Sequence, residues 1–101
     1  MPQLNNSQRQ HLRRLAHSLK PILQIGKAGV TDQVRVSIDQ VLAAHELVKI
    51  KFVGSKVEKE RLVATLSHQT RCEIVGVIGN TAVLFRQHPQ KDKRRIELPA
   101  P

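Results

Sequence analysis

QIGKAGVT, residues 24–31, decides how this chain folds. An apolar run, PILQI at 21–25, leads into it and shares its first two residues. An apolar periodic segment with Thr31 at its head follows. Two glycines spaced G-x-x-G therefore join a strand to a helix, with Lys27 and Ala28 between them. Glycine accepts positive φ and carries no Cβ, so such a turn lets another backbone come close. Thr31 is a suitable N-cap, and Asp32 is well placed against the positive helix end.

Working outward, residues 5–19 read as a first helix. Leu12, Leu15, Ala16 and Leu19 share one face at helical spacing. Ser7 with Gln10 has the capping-box pattern, and Asn5 or Asn6 are alternative caps. Pro21 disfavours helical geometry at Lys20 and stops the helix there. The second helix carries Val34, Ile38, Val41 and Leu42 and runs to about residue 44. LVKIKFV at 47–53 alternates strictly, a half-buried strand with Lys49 and Lys51 on its outer face. Ser55 with Glu58 repeats the capping-box pattern and opens a third helix through Leu62, Val63 and Leu66 to about residue 69. CEIVGVI at 72–78 and TAVLFR at 81–86 flank Gly79-Asn80 as a hairpin. The order is α-β-α-β-α-β-β: one α/β domain over 1–88, then a polar, basic tail at 89–101. A single small sheet with helices packed on it buries these stripes. The first two strands, joined through a helix, should run parallel if they are neighbours.

With 101 residues the chain has room for one modest core. Its longest apolar run is far too short to span a membrane, and the N-terminus has no apolar stretch resembling a secretion signal. One cysteine, Cys72, excludes an internal disulfide and suits a reducing cytoplasm.

Charge is the most informative bulk property. The net charge is +9, unevenly spread. Residues 1–30 hold five bases and no acid, 31–85 are nearly neutral at +1, and 86–101 carry +3. Solubility alone explains a net charge but not its segregation. A polyanionic partner does.

Arg9, Arg13, His17 and Lys20 step by four, four and three along the first helix and form one cationic stripe. Like charges at that spacing repel, which a phosphate backbone would relieve. Amide groups of a G-x-x-G turn with a helix start behind them suit one or two phosphates. KH domains use a GXXG loop in this way. The plainer alternative is that the glycines only make a tight turn. Lys49 and Lys51 either extend the basic surface or merely face water. Arg94 and Arg95, with Lys91 and Lys93, form either an RNA-binding arm or a solvated end.

Taken in order, LRRLAHSLKPILQIGKAGVT at 12–31, ELVKIKF at 46–52 and EIVGVIGNTAVLFR at 73–86 resemble the CRM domain, specifically its stand-alone bacterial, YhbY-like form. The resemblance implies a four-stranded mixed sheet similar to the C-terminal domain of translation initiation factor three. It also implies RNA binding through Gly26, Lys27, Ala28, Gly29 and the neighbouring basic surface. Bacterial members are associated with precursors of the large ribosomal subunit.

Binding of structured RNA, ribosomal by the resemblance, is therefore the leading expectation, by a monomer with no cofactor, metal or small-molecule substrate. With no Trp or Tyr, and with Phe52 and Phe85 in strands, stacking on aromatic platforms is not expected. Catalysis is not expected either. The five histidines lie in separate segments without ligand spacing, and a lone Cys72 in an apolar strand reads as core filling. A protein-interaction or anionic-membrane module is the remaining alternative. Substituting Lys27→Glu or Gly29→Asp is expected to abolish RNA binding while the domain stays folded.

Overall fold

The computed structural model describes residues 4–26, 28–53 and 56–100. Helix α1 spans Asn6–Ala16, strand β1 Leu23–Ile25, helix α2 Asp32–His45 and strand β2 Leu47–Phe52. Helix α3 spans Lys56–Thr70, followed by β3 Glu73–Ile78 and β4 Thr81–Phe85. A short 3-10 turn, Lys91–Lys93, lies beyond the hairpin. The element order is the expected one. The strands form one mixed sheet in the order β1-β2-β4-β3. β1 runs parallel to β2, while β4 is antiparallel to both β2 and β3.

Alternation along the strands sorts the side chains onto two faces. Val48, Ile50 and Phe52 of β2, with Ile25, Ala82 and Leu84, pack under α2 and α3 through Ile38, Leu42 and Leu66. Leu47, Val75, Val83 and Phe85 face the other way and receive Leu12 and Ala16 of α1. Full burial of such a side chain contributes about 1.5–3 kcal/mol. Lys49 and Lys51 share the α1 face with Leu47, so that face is only partly covered.

Of the caps the sequence offers for helix α1, the structure takes Asn5, and the helix is shorter and less fully buried than its periodicity suggests. Its capping box is built by Asn5 and Gln8, not by Ser7 and Gln10. Asn5 Oδ1 accepts the Gln8 N–H at 2.8 Å, and Gln8 Oε1 accepts the Asn5 N–H at 3.1 Å. The regular helix stops at Ala16, before Pro21 bears on it. Only part of its leucine stripe is buried: Leu12 is 0% exposed, but Leu15 and Leu19 remain 40% and 37% exposed. Ser55 of the second capping-box pattern lies outside the described residues.

The segment after Pro89, a polar basic tail by sequence, lies back along the body. Ile96 and Leu98 pack against the α1-side cluster. The anchor is Glu46, the buried residue that ends α2 at φ 64. Its Oε2 accepts the His88 N–H at 2.7 Å, and its Oε1 accepts those of Arg95 and Ile96 at 2.6 and 2.9 Å. A buried carboxylate is costly unless paired, and three amide donors satisfy this one. Nearby, Arg86 joins α2 to the end of α3. Its Nη1 donates to Asp39 Oδ1 at 2.6 Å and to the Thr70 carbonyl at 2.8 Å.

Removing the Glu46 acceptor strands three amide donors. Glu46→Ala should therefore lower stability by about 2–4 kcal/mol in urea unfolding. Hydrogen-exchange protection at Arg95 and Ile96 should be lost selectively, and Glu46→Gln should do less harm. Burial pushes the Cys72 thiol up, so the native protein should react with a thiol reagent at neutral pH more slowly than free cysteine does.

Candidate nucleic-acid interface

Because β1, β2 and β3 are mutually parallel, their C-terminal ends share one rim of the sheet. The G-x-x-G turn emerges there, at the edge strand β1. Gly26 and Ala28 are exposed. The Gly29 N–H donates to the Gly26 carbonyl at 3.0 Å and closes the turn. Lys27 lies outside the described residues. Thr31 caps α2 as expected, its Oγ1 accepting the Val34 N–H at 3.2 Å.

The two glycines have different reasons to be there. Gly29 adopts φ +73, and an added Cβ would meet Leu62 Cδ2 of α3 at 3.3 Å. It is required by backbone conformation and by packing. An added Cβ at Gly26 would meet nothing within 4 Å. The space in front of Gly26 is open, as a ligand-facing turn requires. Gly29→Asp is consequently a poor probe of binding, because the φ and the Leu62 contact tie that position to folding.

The turn faces α3 across a cavity of about 310 Å³ lined by Gly26, Ala28, Gly29, Val30, Arg61, Leu62 and Thr65. Arg61 is exposed and stands over it. Sequence reading passed over this arginine, which sits among Lys59, Glu60 and Leu62 with nothing to mark it. Only the packing of α3 against the turn singles it out. Lys51 lies nearby in register, paired with Gln24 of β1, and is exposed. Asp32, in the first turn of α2, already offsets part of that helix's positive end. An anion is thus better served from the Arg61 side.

The expected stripe on α1 divides. Arg9 Nη1 donates to the Ile74 carbonyl at 2.7 Å, and its Nη2 lies 3.6 Å from the Glu73 carboxylate. Arg13 Nε donates to the Val75 carbonyl at 3.3 Å, with its guanidinium over Gly76. Both dress the edge strand β3, whose register shifts at Ile74/Gly76. Glu73, distant in sequence, supplies the acid that the first thirty residues lack. β1 and β3 are opposite edges, about 14 Å apart at about 4.8 Å per strand. Arg9 is therefore not beside the loop. His17 and Lys20 are exposed at the far end of α1. Lys49 Nζ donates to the Leu19 carbonyl at 3.1 Å. Arg94 and Arg95 lie at the opposite rim, Arg94 Nε donating to the His88 carbonyl at 2.7 Å.

Among the described residues no cluster of three or more His, Cys, Asp or Glu is placed to hold a metal ion. None of their helices is long and apolar enough to cross a membrane.

The two glycines should separate cleanly in stability measurements. Gly26→Ala should leave the unfolding free energy within about 0.5 kcal/mol of wild type. Gly29→Ala should cost about 1–3 kcal/mol for its backbone conformation alone.

Known proteins share this architecture and sequence. The profile of the CRS1 / YhbY (CRM) domain matches residues 4–86. "Probable RNA-binding protein YqeI" of Bacillus subtilis is 39% identical over 97 residues, covering 95% of this chain and 99% of that protein. A Haemophilus influenzae protein named "RNA-binding protein" is 34% identical over 100 residues, covering 98% of each. The solution structure of a hypothetical protein of Staphylococcus aureus superposes with a TM-score of 0.81 at 39% identity, covering 96% of this chain and all of that one. Both relatives are named for RNA binding, the Bacillus subtilis protein as a probable RNA-binding protein. The sheet order, the exposed G-x-x-G turn and the match over most of the chain make this protein a member of the CRS1 / YhbY (CRM) domain family.

Proposed function

We propose that this protein binds structured RNA, with the G-x-x-G turn taking backbone phosphate, and that its target is ribosomal RNA during assembly of the large subunit in the cytoplasm. The observation that carries the reading is the open approach to Gly26 beside Arg61, on a chain of net charge +9. The names of the relatives point the same way. The exposed Gly26 and Ala28 of the turn border the cavity on one side, and the Arg61 guanidinium offers donors on the other. A guanidinium fork suits phosphate geometry. Lys51, on the α1 face of the sheet, and His17 and Lys20, past the end of α1, are exposed and add positive charge elsewhere on the domain.

Both phenylalanines are buried, Phe52 at 3% and Phe85 at 1% exposed, so neither offers a stacking platform. Recognition by shape and phosphate follows, with weak sequence preference. In this reading Arg9 and Arg13 first serve the β3 edge, and any RNA contact they make is secondary. One copy of the chain suffices for the site.

Fluorescence anisotropy with a large-subunit precursor transcript tests the reading. Log affinity should fall linearly with log salt, by about 0.7–0.9 per phosphate contacted. Gly26→Asp puts a carboxylate into open space and should weaken binding at least about tenfold with unchanged unfolding, as loss of a charge-assisted contact predicts. Lys51→Glu should weaken binding less. Wild-type affinity in Gly26→Asp at matched salt would remove the turn from the interface.

A further inference from the structure

At the opposite rim of the sheet, three arginines converge that the sequence keeps apart. Arg71 follows α3, Arg86 follows β4, and Arg94 follows the 3-10 turn. With Gln87 and His88 they line a cavity of about 590 Å³ floored by Leu42, Ala43 and Pro89. No acid is among the lining residues.

The ordinary explanation for arginine here is a helix end. α2 and α3 both terminate at this rim, and cations stabilise helix C-termini. Arg86 fits that role, reaching the Thr70 carbonyl, the Asp39 carbonyl and the Asp39 carboxylate. The other two do not. Among the described residues Arg94 donates only its Nε, to the His88 carbonyl, which belongs to no helix. Arg71 is exposed, and among the described residues its side chain has no hydrogen bond or ion pair. Its backbone sits at φ 54, a conformation that a non-glycine residue rarely adopts. The nearby Glu46 carboxylate has its oxygens taken by three amide donors, and among the described residues neither Arg71 nor Arg94 has an ion-pair partner.

We propose that this cavity takes a second phosphate of the bound RNA, held by the Arg71 and Arg94 forks while Arg86 adds charge from its fixed position. The inference rests on the RNA-binding reading above but uses a different surface. β2, which separates the two rims, has six residues, so they lie about 17 Å apart at about 3.4 Å per residue. One phosphate does not reach both. The RNA therefore runs along the domain from the turn to the arginine cavity. The basic residues near the C-terminus thereby acquire a defined place: the Glu46 anchor holds the tail so that Arg94 reaches the cavity.

The test uses the full chain carrying Arg71→Gln, and Arg71→Gln with Arg94→Gln, titrated with the same transcript across a salt series. Arg71→Gln breaks no side-chain hydrogen bond or ion pair among the described residues, so it remains informative even if the double variant is less stable. Arg71→Gln should bind about tenfold more weakly, and its salt slope should fall by about one. The double variant should lose more. Wild-type affinity and slope in both variants, alongside lost binding in Gly26→Asp, would overturn the arginine site and leave the turn standing. Weakened binding in Arg71→Gln, with Gly26→Asp unaffected, would support the arginine site and sink the turn. If all three bind as wild type, both assignments fail.

Discussion

Parallel pairing of β1 with β2 is the constraint from which the placement of the site follows. Leu23, Gln24 and Ile25 lie opposite Ile50, Lys51 and Phe52. Two parallel strands cannot be joined by a tight turn, so the chain must cross over the sheet through α2. The crossover has to begin where β1 ends. That places a turn, a helix cap and a helix start together at one rim, on an edge strand open to solvent. Buried Ile25 and Ile50 hold the pairing from beneath, while Gly29 lets the chain bend close to Leu62 of α3. Core packing thus fixes the turn from one side and leaves the other side free.

The charges sort into working groups by what surrounds them. Glu46 and Arg86 are internal fasteners, one holding the returning tail, the other joining α2 to the end of α3. Arg9 and Arg13 cover carbonyls of β3, and long charged side chains there also discourage another strand from adding to the edge. Arg61, Lys51, Lys20 and Arg71 are exposed instead. The net charge of +9 therefore overstates the cations available to a partner, and the available ones lie at defined places.

Much of the fold was legible because local signals agreed with one another. Strict alternation marked β2, Gly79-Asn80 marked the hairpin, and Thr31 marked the start of α2. The turn at 26–29 was legible too, since its glycine spacing and flanking elements are local. What escaped was non-local. The α1 stripe looked continuous because helical spacing says nothing of a strand sixty residues away, and β3 captures Arg9 and Arg13. The partial exposure of Leu15 and Leu19 depends on how far α1 reaches across the sheet, which periodicity does not encode. Arg61 and Arg71 were invisible because their significance comes from what α3 packs against and where it ends. Glu46 looked like an ordinary acid between a helix and a strand until the tail folded onto it.

Amide chemical shifts during RNA titration would test the central claim most directly. At low salt, the account predicts that the largest changes fall at Gly26, Ala28 and Gly29, with Arg61 close behind, and that they fade together as salt rises. Changes confined to α1 and β3, with the amides of the turn unmoved at saturation, would contradict it.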